Sequence, residues 1–558
     1  MGGRGGALGS SALEPVADEL LFAGWRALPR CIAKMTKWVA STAPIPKETQ
    51  MHRARLFLSV GLILLFLAGC NQGPDSMSTN SNGLSSAGQA SQVSLSMTDD
   101  PPNGVTVLFF QISLTAAYLT PASGSSNASL LTNNTPVQVD VTQLQALSAF
   151  LSTANVPTGT YNSLTLTFAN PQLVIFNASD ASIASTCPLN TVCQLTPTID
   201  NSASLTFSTA PFPVSVSQNT PLGFLLDFHL NQVIQSDLSV NLGVSNGVTV
   251  DELPSTPPFG PPRFGFLVGT VGTVSSNPTQ FTLQTRDGRT FTVDTNSSTS
   301  YANFPSSVCA MSSFSCLASG QIVQVQVSSV AMNGTLVAAE VSYVQAASQQ
   351  AVEGSVIGLS TSNGTTVIKL LLHWSPDAGV LPFGGVASAT VSSTATFSVN
   401  SSNFTIPSGL SFASASDLLV GQEVQANVVS GSLANSSSFG RWAPPSVSFT
   451  TDTIQLQPSQ ITGAVTATAA STASFTVTTF PNFFASWSNP GGMSWTPMTV
   501  TIDTTSQTAY EGLSTDSFSG LTMNSVVSVR GWLFSTPSAS TPSTQVAETV
   551  LGRPSGFF

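Results

Sequence analysis

Histidine is the scarcest catalytic side chain in this 558-residue sequence, with three copies. His52 lies near the N-terminus, His229 between Phe228 and Leu230 in a strand-like stretch, and His373 in a later domain. A Ser or Cys nucleophile would need one of them beside it as its base. No Gly-x-Ser-x-Gly elbow precedes a helix, and neither His-Glu-x-x-His nor a phosphate-cradling Gly loop occurs. We expect His229 to face outward or to be hydrogen-bonded. Carboxylate pairs of the kind that hydrolyse glycosides cannot be read from one sequence. Asp99 and Asp100, with Asn103 or Asp140, are weak calcium candidates. They lack Asp-x-Asp-x-Asp spacing, and Asp before Pro101 is an ordinary turn opener. The expectation is therefore no catalytic residue, no metal and no cofactor.

Aromatic side chains in Pro/Gly-rich insertions form a second group. Phe483, Phe484, Trp487 and Trp495 fall within 480–495, whereas Trp374 follows His373 and Trp442 follows Arg441. On loops these six are candidate ligand-binding residues, because aromatic faces stack on sugar rings or act as hot spots. The competing expectation is that they cap barrel mouths or pack between repeats.

Four cysteines form two close pairs, Cys187/Cys193 and Cys309/Cys316. Neither spacing is that of a structural zinc site, so two small-loop disulfides are expected. Cys70 differs. It ends Met51–Cys70, MHRARLFLSVGLILLFLAGC, where His52, Arg53 and Arg55 flank an apolar run too short for a mature membrane span. Leu67-Ala68-Gly69-Cys70 resembles the lipobox of bacterial lipoproteins. That resemblance implies cleavage before Cys70, acylation of that residue and stable anchoring by two or more chains. Residues 51–69 then form a signal peptide, and 1–50 an upstream extension with Met51 as the true start. Asn71 occupies the place where Asp retains enterobacterial lipoproteins in the inner membrane, which favours the outer membrane or cell surface.

After Cys70 the chain carries seven Lys/Arg and twenty-two Asp/Glu, net −15, and Lys369 is its only Lys. That balance excludes a basic patch and so argues against nucleic acid and against electrostatic docking on anionic lipid. Only 7% of the sequence is charged while 41% is hydrophobic, so Ser, Thr, Asn and Gln must supply the solvated surface. This is the composition of a secreted all-β protein.

Residues 70–92 read as a flexible tether. From 93 to 253, alternating segments predict a β-sandwich with one short helix, placed where Leu144, Leu147, Phe150 and Leu151 recur. Four features resemble the lipoprotein family called domain of unknown function 4382. They are Val93–Pro101, Val139-Asp140-Val141, Val156–Tyr161 and Leu225-Leu226-Asp227-Phe228. The family's usual Thr-Asp-Ala-Pro is replaced here by Thr98-Asp99-Asp100-Pro101. A Pro-rich linker follows at 254–264.

Three repeats follow, at 265–348, 351–458 and 460–552. Each opens on a Gly with β-branched residues flanking it: Val268-Gly269-Thr270-Val271, Glu353-Gly354-Ser355-Val356 and Thr462-Gly463-Ala464-Val465. Val293-Asp294-Thr295-x3-Thr299 is matched by Ile502-Asp503-Thr504-x3-Thr508. Leu317-x2-Gly320-Gln321 is matched by Leu418-x2-Gly421-Gln422, and loosely by Leu521-x2-Asn524. Asp287-Gly288, Asn333-Gly334 and Asn363-Gly364 predict two-residue hairpins. Units of this size predict small closed β-barrels. The pattern resembles domain of unknown function 5666, a family of extracytoplasmic lipoproteins.

The functional expectation is a lipid-anchored, non-enzymatic surface protein for binding, adhesion or structure, with a polysaccharide or envelope protein as partner. The alternatives are a carbohydrate-binding lipoprotein using the aromatic loops and a carboxylate-dependent hydrolase. A pocket with two close carboxylates would favour the last.

Overall fold

Alternation of apolar and polar residues governs the chain from Ala90 onward, and strands follow it. In a computed structural model, residues 90–553 are described apart from 101–105, 125, 132–133, 147, 177–191, 236, 254–264, 306, 332, 347–349, 376–379, 402–403, 437–445, 480–498 and 537–542. The first module has eleven strands: β1 (Ala90–Asp100), β2 (Thr106–Pro121), β3 (Ala128–Ser129), β4 (Val137–Asp140), β5 (Ala149–Pro157), β6 (Gly159–Phe176), β7 (Val192–Leu195), β8 (Ser204–Phe207), β9 (Val214–Val216), β10 (Leu222–His229) and β11 (Val248–Leu253). One sheet runs β11-β10-β1-β5, and the other is built on β2 and β6. Leu95 and Phe224 from the first meet Ile112 and Leu166 from the second in a shared core, as in a β-sandwich. Ser91 and Gln92 are already buried in β1, so the strand begins inside the stretch read as tether.

The expected short helix is a correction. Val141–Leu144 is one 3-10 turn, and Phe150 and Leu151 lie in β5. Helical spacing misled because both faces of β5 are covered. Leu151 enters the sandwich core, while Phe150 points into the core of the next module, edge-on to Phe291 at 5.9 Å. A strand buried on both faces loses the period-two signal.

Each later module is a five-stranded closed barrel. The first uses β12 (Phe266–Ser276), β13 (Thr279–Thr285), β14 (Thr290–Asp294), β16 (Ile322–Val330) and β17 (Leu336–Gln345), with β15 (Ser300–Ala302) beside β17. The second uses β18 (Ala351–Ser362), β19 (Thr365–Trp374), β20 (Val386–Val399), β21 (Glu423–Asn427) and β23 (Ser446–Gln457), with β22 (Ala434–Ser436) added. The third uses β24 (Ser459–Ala469), β25 (Ser474–Thr479), β26 (Thr499–Asp503), β28 (Val526–Phe534) and β29 (Ser543–Arg553), with β27 (Ala509–Glu511) beside β29. In all three the third and fifth barrel strands pair in parallel to close the ring.

The repeat motifs are what close these barrels. A Cβ at Gly269, Gly354 or Gly463 would lie 2.6, 2.3 or 2.3 Å from a carbonyl oxygen of the neighbouring strand, so only Gly allows the approach. Thr299 and Thr508 donate to Ala338 O and Ala547 O at 2.8 and 2.7 Å, tying the third-strand turn to the fifth strand. The backbone N–H groups of Gly320, Gly421 and Asn524 donate to equivalent carbonyls of the first strand, at 2.7–2.8 Å. All three residues have positive φ, which Asn tolerates, so the third turn survives without its Gly. Of the three hairpin dipeptides only Asn363-Gly364 has both residues at positive φ; at Asp287-Gly288 and Asn333-Gly334 only the Gly does. The Cys309–Cys316 disulfide staples the turn before Leu317.

The described residues from Ala90 onward form one compact unit. Phe266 of β12 pairs with Ala149 of β5, so a single sheet runs from sandwich to first barrel. Arg289 is buried and donates to Leu151 O. Phe109 and Phe176 of the sandwich pack on Ile357 and Leu371 of the second barrel. Trp532 and Phe534 leave the third barrel for the core of the second.

Candidate functional site

The polar residues that gather do so where the modules meet. Asp140 ends β4, and its Oδ2 accepts from His373 Nδ1, near the end of β19, at 2.7 Å. His373 Nε2 lies 3.0 Å from Ser355 Oγ of β18, which donates to Glu423 Oε2 of β21 at 2.6 Å. Thr142 Oγ1 holds the other Asp140 oxygen at 2.5 Å, and Phe109 lies against the imidazole at 6.0 Å. The Ser355–His373–Asp140 order is that of a serine hydrolase triad. Sequence reading missed it because Asp140 and His373 come from different modules, and Ser355 sits in the repeat's Gly motif.

Charge decides what this chain of bonds does. Burial pushes His373 down, but Glu423, Asp140 and Glu353 together outweigh it and raise its pKa to about 9. The imidazole is thus protonated at neutral pH and donates from both nitrogens. Ser355 must then accept from His373 and give its own proton to Glu423, the reverse of what nucleophile activation by His requires. Burial raises Glu423 to about 7, and the neighbouring Glu353 adds to the rise while His373 opposes it. Glu353 itself is raised by burial, against the pull of His373 and Arg530. A cavity of about 20 Å³, lined by Ser355, Glu423, Gln143 and Gln460 among others, offers room for about one water. Ser355 and Glu423 are 4% and 6% exposed, so no acyl group reaches them in this conformation.

A second cavity, of about 50 Å³, lies where the three barrels meet. Glu340, Glu353, Glu548 and Arg530 line it, and Arg530 pairs with Glu548. Burial lowers Arg530 to about 10, against Glu353, Glu340 and Glu423. Three carboxylates thus line one space, the kind of site a hydrolase would use. The space is nonetheless far below the ~300 Å³ at which ordinary ligand pockets begin. Beside the junction, Gln460 of β24 grips the sandwich turn. Its Oε1 accepts from Ala146 N at 2.9 Å, and its Nε2 donates to Gln143 O at 2.6 Å. Thr462 adds a 2.8 Å bond to Gln145 Oε1.

The residues singled out from sequence scatter. Trp374 is partly buried beside His373 and pairs in register with Glu353. His229 is 2% exposed, so it does not face outward. Cys193 is buried and disulfide-bonded, whereas Cys187 lies outside the described residues. Cys70, Asn103, Trp442, Phe483, Phe484, Trp487 and Trp495 also lie outside them. Asp99 and Asp100 pair in register with Phe228 and His229, and Asp140 is committed to His373 and Thr142. Among the described residues no three His, Cys, Asp or Glu group as metal ligands.

Comparison with protein families agrees with this layout. Residues 90–244 match the domain of unknown function DUF4382, and residues 268–342 and 462–533 match the domain of unknown function DUF5666. The matched barrels are thus the first and third. The junction's His373, Ser355 and Glu423 all belong to the second. Among curated proteins nothing matches.

Proposed function

We propose that the chain is a lipid-anchored extracytoplasmic protein, held through Cys70, whose four β modules act together as a non-enzymatic platform for binding or envelope structure. One observation carries this reading: the side chains best placed for catalysis are spent on joining modules. His373, Asp140, Ser355 and Glu423 are bonded in one chain across the sandwich–barrel boundary. A charged imidazole held between carboxylates makes a firm joint and a poor base. The basic flank, apolar run and Leu67-Ala68-Gly69-Cys70 support the anchor, and Asn71 favours the outer membrane.

Fractionation tests the anchor. Wild-type chain should sediment with membranes, and Cys70→Ser should release it or leave it unprocessed; unchanged processing and sedimentation would count against lipidation. Hydrolysis of short-chain esters and of glycosides by the purified chain tests the rest. No turnover is expected. Turnover that Ser355→Ala abolishes without moving the thermal midpoint would establish a hydrolase instead.

A further inference from the structure

The junction has an unbalanced set of buried charges. Three carboxylates, Asp140 of β4, Glu353 of β18 and Glu423 of β21, face one imidazole, His373 of β19, and one guanidinium, Arg530 of β28. Glu548 of β29 and Glu340 of β17 lie beyond Arg530 and draw on the same positive charge. The His373 side chain is 7% exposed and that of Asp140 16%, so water screens them little. Glu423 Oε1 is buried, with no hydrogen-bond partner among the described residues. Every proton lost from this set adds negative charge to a space that is already net negative.

We infer that the Asp140–His373–Ser355–Glu423 chain is a proton-operated latch, which holds the Asp140 end of the sandwich turn on the second barrel in mild acid and loosens it as pH rises, while Gln460 and Thr462 of the third barrel keep the 143–146 end in place. The direction follows from the two titrating groups. Glu423 ionises at about 7 when folded, above the ordinary carboxylate value, so its stabilising effect is full below about 4.5 and fades by about 7. His373 is raised to about 9, so its contribution is full below about 6.5 and is lost as pH passes 9. Both steps run the same way. The pair titrates as a coupled unit in two stages. The inference rests on the junction alone and holds whatever partner the platform carries.

Amide hydrogen exchange of the full chain in detergent, corrected for intrinsic pH effects, tests this. Amides of 137–142 should exchange at least about tenfold faster at pH 9.5 than at pH 5.5, while those of β25 and β26 stay constant. Glu423→Gln, a fixed neutral side chain, should flatten the lower step and move the upper one to lower pH, because Glu423 helps to raise His373. His373→Gln should remove the upper step. Exchange independent of pH in the wild type, or both variants following the wild-type curve, would overturn the latch. Should the variants not fold, the imidazole resonances of the wild type decide. One histidine still protonated at pH 8 is expected, and none protonated there refutes the proposal.

Discussion

Trp532 gives the sharpest test of whether the barrels form one cooperative body. It belongs to β28 of the third barrel, yet it is fully buried in the core of the second, 5.0 Å from Phe404. Its Nε1 donates to Asn400 O at 2.7 Å. Trp532→Ala removes the ring, at ~3–5 kcal/mol, and strips the Asn400 carbonyl of that bond, for a total of about 5 kcal/mol. The shift in thermal midpoint then measures the unit that unfolds with it, since unfolding entropy is ~2.1 cal/mol/K per residue. If the second and third barrels melt together, about 200 residues, the midpoint falls by about 12 °C. If the unit from Ser86 onward melts as one, roughly 470 residues, it falls by about 5 °C. Calorimetry of the purified chain distinguishes the two, and Trp532→Phe should cost only a fraction of either. A shift below about 2 °C would refute the reasoning, as would a second-barrel transition that stays in place while the third moves.

Gly354→Ala places a Cβ 2.3 Å from Leu371 O, a backbone atom that cannot step aside, and should cost about 3 kcal/mol by denaturant titration. Cys309→Ser opens a short covalent loop and should cost ~2 kcal/mol, read by denaturant titration of the purified chain.

The repeats were legible because each motif residue serves a local bond that recurs, such as Thr299 and Thr508 or Gly320 and Gly421. Local needs leave a periodic trace. The junction left none. Asp140 precedes a 3-10 turn, His373 stands before a Trp, and Ser355 occupies a place filled by Thr270 and Ala464 in the sister repeats. Only the folding of distant segments makes them neighbours. Phe150 and Leu151 misled for a related reason, since β5 serves two cores and neither is visible from the strand itself.

The differences among the repeats carry the same message as their likeness. The Gly that starts each barrel is fixed by backbone contact, but its flanks are free to vary, and they vary toward the junction. In the second barrel Glu353 and Ser355 flank Gly354, and both face the His373 cluster. In the third, Thr462 precedes Gly463 and binds Gln145 of the sandwich. In the first, Phe266, three residues before Gly269, lies under Arg530 at 5.9 Å and pairs with Ala149. Residues close to the repeated Gly thus differ from copy to copy, and each suits a different neighbour. Identical copies would present identical faces and could stack only on one another. Divergence at these flanks lets three alike barrels close around a sandwich in a single arrangement.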